Sequence, residues 1–278
     1  MTRRILHLGL RIAGIVVCLG LLLIAYALWW EPSSLRMARY SVPPGNWPKC
    51  DLTVALIADL HIGSPYIDIE YVQRLVERTN AEHPDLVLLL GDYDINGIKG
   101  GNKVDVGEWA PVLGQLEAPL GVHAVLGNHD WWNDEVRIAQ ALRDAGIHVD
   151  DNDSEQINCG SEKLWLVGLG DTLTGNDDIR RALRRVPKDA PILAFAHEPD
   201  VVQQLKARSG LVVAGHTHGG QVRLPFLTDQ VVDGPWLEGH YTVNYMDLFV
   251  TSGIGTSILP IRFRVPPEVA ILQVSEKP

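Results

Sequence analysis

The sequence predicts an α/β domain behind a single membrane-spanning helix. Three observations carry this expectation. Short runs of apolar, strand-forming residues alternate with stretches whose apolar residues recur at helical spacing. Several of the apolar runs end in a cluster of Asp, Asn or His. Ile12 to Trp30 is a run of 19 residues without a charge, close to the ~20 residues that span the hydrocarbon core of a bilayer as a helix.

The membrane segment comes first. Arg3, Arg4 and Arg11 precede it, and Arg36 and Arg39 follow it, partly offset by Glu31. This charge bias predicts a cytoplasmic N-terminus and an exported domain, and Trp29 and Trp30 suit an interfacial aromatic belt. Thr2-Arg3-Arg4 partly matches a twin-arginine signal, and Ala25-Tyr26-Ala27 offers a small-residue cleavage site. The apolar run nevertheless continues through Leu28-Trp29-Trp30, so residues 1–30 are read as an uncleaved anchor. Ser33 to Lys49 contains Pro43, Pro44 and Pro48 and reads as an irregular linker. The expected division is therefore an anchor over 1–30, a linker over 31–50 and a catalytic domain over 51–278.

Within that domain, Leu52–Ala58 is a buried strand ending in Asp59-Leu60-His61. Ile69, Val72, Leu75 and Val76 mark a helix. Asp85–Leu90 is a second strand, ending in Gly91-Asp92. A short helix is expected near Trp109 to Leu116. Gly121–Leu126 is a third strand, ending in Gly127-Asn128-His129-Asp130. Asp134 to Ala145 reads as an amphipathic helix closed by Gly146. Lys163–Leu169 is a fourth strand, and Asp177 to Val186 a helix capped by Asn176 or Asp177. Pro191–Ala196 is a strand ending in His197, and Pro199 opens a helix expected to run to Arg208. Leu211–Ala214 is a strand ending in Gly215-His216-Thr217-His218-Gly219-Gly220. Late strands are expected near Leu248–Thr251 and Val269–Val274.

Composition excludes some functions. A net charge of −10 disfavours nucleic acid as a partner, because non-specific affinity for it needs a basic surface. No Cys-x-x-Cys is present, which removes zinc-ribbon chemistry. Of the three cysteines, Cys18 lies in the membrane segment. Cys50 and Cys159 could pair in an exported domain, but the plainer expectation is two free thiols.

Five strand ends supply polar side chains: Asp59 and His61, Asp92, Asn128 and His129, His197, and His216 and His218. Open α/β sheets bind ligands beyond such carboxyl ends. Oxygen and imidazole donors without thiolate suit Mn, Fe or Zn. Leaving His129 aside, seven candidate donors are too many for one four-coordinate ion but suit two ions sharing a carboxylate, with room for water. Two divalent ions against Asp59, Asp92 and a bridging hydroxide leave a net positive site, which favours a phosphate oxyanion. Such a pair, ~3.5–4 Å apart, makes a hydroxide near neutral pH and clamps an in-line displacement at phosphorus.

These motifs, in this order, resemble those of the calcineurin-like metallophosphoesterases: Asp59-x-His61, Gly91-Asp92, Gly127-Asn128-His129-Asp130, His197 and Gly215-His216-x-His218. The stretch from Gly215 through Arg223-Leu224-Pro225-Phe226, with Pro260 to Glu268, is similar to the membrane-anchored bacterial branch. The resemblance implies a four-layer α-β-β-α sandwich. It implies one metal held by Asp59, His61, Asp92 and His218, and a second held by Asp92, Asn128, His197 and His216. His129 is then a catalytic non-ligand that stabilises charge on phosphate or protonates the leaving group. The family often carries a second acid three residues after the aspartate of Gly-Asp. Here that position is Ile95, with Asp94 one place early, which puts a hydrogen bond of that loop in question.

Trp131 and Trp132 are either core or an apolar lip that grips substrate. Arg223 either forks onto phosphate or makes a surface ion pair. His7, His83, His123, His148 and His240 fit no cluster and read as structural or surface groups. The functional expectation is a metal-dependent phosphodiesterase or pyrophosphatase acting on a membrane-proximal or lipid-linked phosphoester. Its catalytic domain would face the periplasm from a bacterial inner membrane. Relatives of this kind include UDP-2,3-diacylglucosamine pyrophosphatases of lipid A synthesis, a reading that needs a cytoplasmic domain. A non-catalytic metal-binding scaffold at the membrane is the alternative from another class, against which the complete ligand set with His129 argues.

Overall fold

A computed structural model describes residues 2–205, 208–224 and 234–276. The N-terminal helix α1, Thr2–Ala25, passes into one π-helical turn over Tyr26–Trp30. Its span His7–Trp30 is long and apolar enough to cross a membrane.

The first sheet contains strands β1 (Arg36–Val42), β2 (Leu52–Ile57), β3 (Leu86–Leu89), β4 (Val122–Ala124), β5 (His148–Val149) and β12 (Glu268–Val274). Their order is β1-β12-β2-β3-β4-β5. The second sheet contains β6 (Asp153–Cys159), β7 (Glu162–Gly168), β8 (Ile192–Phe195), β9 (Gly210–Ala214), β10 (Gly239–Val243) and β11 (Met246–Val250), in the order β10-β11-β9-β8-β7-β6. Helices α2 (Ile69–Asn80), α3 (Val106–Leu113), α4 (Asn128–Asn133) and α5 (Glu135–Asp144) belong with the first sheet. α6 (Ile179–Ala182) and a 3-10 segment, Pro199–Leu205, belong with the second.

The period of two along each strand sorts side chains between layers. Ala55, Ile57, Val87 and Leu89 join the core under α2, α3 and α5. Val54, Leu56, Leu86 and Leu88 face the other way. They meet Leu164, Leu166, Leu193, Phe195, Leu211 and Val213 from the second sheet. Ile192, Ala194, Val212 and Ala214 pack outward on Val201, Val202 and Leu205. Central strands buried on both faces read as continuous apolar runs, and the four-layer α-β-β-α sandwich follows from having three cores.

Four expectations are corrected. Residues 36–42, read as linker, form strand β1 parallel to β12, because alternate residues Ala38 and Val42 are buried. The helix expected over Asp177–Val186 shrinks to four residues capped by Asp178, and that from Pro199 is a 3-10 segment rather than an α-helix. Cys50 and Cys159 are not free thiols: they form a disulfide with Cα atoms 5.7 Å apart, since β6 runs beside the chain leading into β2.

Candidate metal centre

The structure brings all seven expected donors together at the carboxyl ends of β2, β3, β4, β8 and β9. Asp59, His61 and His218 form one group, and Asp92, His197 and His216 another, with ligand atoms within 4.8 Å of one another in each. Asp92 lies between them. Its Oδ2 is 3.6 Å from His61 Nε2 and 3.3 Å from His197 Nε2. His61 Nε2 is 3.3 Å from His218 Nε2. His197 Nε2 is 3.1 Å from Asn128 Oδ1 and 3.0 Å from His216 Nδ1.

Backbone geometry aims these groups. Asp59, His61, Asp92, His216 and His218 all adopt positive φ, between 43° and 71°. Non-glycine residues seldom do so, and each such turn costs about 1–3 kcal/mol, which concentrates them at functional sites. Two glycines allow the loops to close. A Cβ at Gly127 would lie 2.3 Å from Asp92 Oδ1, and one at Gly215 would lie 2.6 Å from the Ala58 side chain.

Hydrogen bonds orient the rings and carboxylates. His197 Nδ1 meets the Leu90 carbonyl at 2.8 Å, turning Nε2 towards the cluster, the usual way a second ring nitrogen fixes a ligand. Asp92 Oδ1 accepts the His129 N–H at 2.9 Å, which leaves Oδ2 facing inward. Both oxygens of Asp59 accept the His216 N–H at 3.1 Å.

Burial dominates the electrostatics. It raises Asp59 to about 7, with the neighbouring charge of Asp92 adding to the rise. It lowers His61 and His216 to about 4, and His218 well below the ordinary value. Burial alone would also raise Asp92, but the charge and hydrogen bond of His197, with His61 and His129, hold it well below the usual carboxylate range. His61, His216 and His218 are thereby held neutral, as metal binding requires. Burial would lower His197 as well, but the charge and hydrogen bond of Asp92 outweigh it and raise His197 well above its ordinary value. His197 and Asp59 would therefore give up protons to a bound metal. The donor set fits divalent ions.

His129 stands beside the cluster, its ring centroid 4.7 Å from that of His61. Its Nδ1 is buried with no hydrogen-bond partner among the described residues. The tryptophan pair divides: Trp131 packs on the first core, while exposed Trp132 leans over His129 with centroids 5.2 Å apart. Arg223 donates to Glu238 at 2.6 Å. Pro225 and Phe226 lie outside the described residues. His123 and His240 pair with Asp150 and Asp247.

Two residues escaped sequence reasoning. Asp130 is fully buried and accepts four backbone N–H groups, from Asp92, Tyr93, Asp94 and Gly127. Asp94 answers the question raised by Ile95: its carboxylate accepts from Ile95 N and Asn133 Nδ2 and pairs with Lys103. Arg262 is buried behind His218. Its guanidinium donates to the carbonyls of Ser252, Gly255 and Val265, and Gly255 O also meets His218 Nδ1 at 3.3 Å. The only signal for Arg262 was its place in the stretch Pro260 to Glu268.

Comparison with known proteins gives the family. Residues 52–220 match the family profile described as Calcineurin-like phosphoesterase. The chain is 28% identical to metallophosphoesterase YkuE of Bacillus subtilis, over 88% of this chain and 87% of that one. It is 27% identical to phosphodiesterase YaeI of Escherichia coli, over 90% and 92%. A 5'-nucleotidase precursor from Thermus thermophilus aligns with a TM-score of 0.46 and 16% identity, over 73% of this chain and 49% of that one. The chain belongs to the calcineurin-like phosphoesterase family, and it is a metal-dependent phosphoester hydrolase.

Proposed function

We propose that the chain hydrolyses a phosphodiester or pyrophosphate bond in a membrane-proximal or lipid-linked substrate, using two divalent ions drawn from Mn, Fe and Zn. Asp59, His61, Asp92 and His218 would hold one ion. Asp92, Asn128, His197 and His216 would hold the other. When bound, such a pair supplies a strong nucleophile from water at neutral pH and a clamp for in-line displacement. One observation carries this reading: Asp92 Oδ2 stands within 3.6 Å of His61 Nε2 and 3.3 Å of His197 Nε2, between two donor groups.

The chain's own residues do the rest. Backbone N–H groups of His129 and His216 hold Asp92 and Asp59 in orientation. His129, outside both donor sets, delivers a proton to the leaving oxygen. Trp132 offers an apolar wall next to that proton donor. Arg223, held by Glu238, would reach substrate only by leaving that pair.

The Cys50–Cys159 disulfide supports a domain on the oxidising, periplasmic side of a bacterial inner membrane, because such bonds persist there and not in the cytosol. It also weighs against the nucleotide-linked lipid precursor of the cytoplasmic leaflet. The buried Ala27, whose carbonyl accepts the Arg262 N–H, supports an anchor that stays attached.

The test is Mn-dependent hydrolysis of bis(p-nitrophenyl) phosphate by the full chain in detergent, with bound metal counted by mass spectrometry. Wild type should turn over and Asp92→Asn should lose both turnover and metal. Equal activity in the two would end the reading.

A further inference from the structure

The end of the anchor is built into the rim of the metal centre rather than joined to it by a tether. Arg262 N donates to Ala27 O. Glu31, buried at the end of the helix, accepts the N–H groups of Arg264 and Val265. Tyr66 donates to Leu28 O at 2.7 Å, and Tyr26 packs edge-on against Phe263. The same segment reaches the site: Gly255 N donates to Asp59 O, and Gly255 O meets His218 Nδ1.

Between Gly255 and Arg262 the chain makes a tip that carries Ile258 and Leu259, 67% and 46% exposed. Gln221, three residues after His218, grips the tip through Ser257 N, Ser257 O and Leu259 O. Ile258 sits at φ 62°, a conformation that is an outlier for a β-branched residue. The surrounding bonds hold an apolar side chain out in that strained state.

We infer that Ile258 and Leu259 form a second membrane contact, inserted into the headgroup region of the bilayer that α1 crosses, so that the metal centre opens at the lipid surface. Consecutive Cα atoms are 3.8 Å apart, so Ile258 lies within ~15 Å of Arg262, which is bonded to the anchor's last turn. Trp29 and Trp30, exposed at that turn, mark the interface, whose polar zone is ~5–8 Å deep on each side. The patch is thus continuous with the anchor's own lipid contact. Exposed Lys99, whose N–H donates to Ile258 O, and exposed Arg264 flank it. On a chain of net charge −10, two cations beside an apolar tip fit lipid phosphates.

The inference takes from the proposed function only the membrane anchor, and its test needs no turnover. The full chain, with Cys18→Ser to remove the free thiol, is placed in nanodiscs of phosphatidylglycerol and phosphatidylethanolamine. Separate Ile258→Cys and Leu259→Cys variants are labelled with an environment-sensitive fluorophore. Tyr245→Cys serves as the control, 79% exposed in the turn at the opposite end of β11. The labels at 258 and 259 should emit to the blue of the control and lose most of their emission to lipids brominated near the headgroup. The control should be unaffected. Emission and quenching at 258 and 259 that match the control would overturn the inference, whatever the hydrolysis assay reports.

Discussion

Asp130 Oδ2 accepts the backbone N–H of Asp92 at 2.8 Å, so the aspartate that lies between the two donor groups is held by a second carboxylate beneath it. Asp130 Oδ1 takes the next two N–H groups, of Tyr93 and Asp94, and Oδ2 also takes that of Gly127. One buried side chain thereby ties the loop after β3 to the loop after β4. Asp130→Ala should orphan these donors at about 1–3 kcal/mol each where they stay buried. The expected loss of stability is at least about 3 kcal/mol, read as the urea midpoint. An unchanged midpoint would contradict the role.

His129 is outside both proposed donor sets, although its ring nitrogen lies within 4.8 Å of ligand atoms of His61 and Asp92. His129→Ala should lower kcat about 10²–10⁴-fold, the usual contribution of a positioned acid. Metal content should stay at the wild-type level. Loss of metal along with activity would make His129 a ligand instead of a proton donor.

Gly127 faces Asp92 so closely that a methyl group would displace the carboxylate. Gly127→Ala should weaken metal binding about 10–100-fold, as when the support of a ligand is disturbed. Titration of chelated protein with Mn and a calorimetric readout would measure it. An affinity equal to wild type would mean the loops can part without moving Asp92.

Cys50 and Cys159 are 109 residues apart, so the disulfide removes much freedom from the unfolded chain. Replacing both by Ser should cost about 2–4 kcal/mol. Comparing urea midpoints of oxidised, reduced and doubly substituted protein would test this, and coincident curves would refute it.

Far from the site, burial alone would lower the pKa of His123. Asp150, at 2.7 Å and by its charge, and Glu155 at 3.3 Å overturn that and raise it. A raised pKa stabilises the fold below the unfolded value, about 6.5, and that contribution disappears as pH climbs through the folded value. His123→Gln should therefore lower Tm more at about pH 5.5 than at about pH 9, by about 2–4 °C per kcal/mol lost. Equal shifts at both would show that His123 carries no charge in the fold.

Most of the fold was legible because β2, β3, β8 and β9 are buried on both faces and must be apolar throughout, while α2 and α5 show a single apolar stripe. Strand β1 was hidden by its place at the edge of the sheet, where Arg36, Arg39 and Ser41 are exposed and neighbouring prolines suggested linker. The short β5 and the solvent-facing half of β6 carry too few apolar residues to signal a strand.

The donors themselves were set by the amino-acid sequence, because chemistry and order survive in one dimension: Asp and His at successive strand ends can be read without coordinates. Which atoms face one another was decided only by folding. The pairing of Cys50 with Cys159, the grip of Asp130 on four amides and the docking of Glu31 on Arg264 and Val265 join residues 109, 3 to 38 and 233 to 234 positions apart. Most of these contacts are long-range, and all depend on loop conformations that no local pattern encodes. The hydrogen bonds among them satisfy polar groups that packing removes from water.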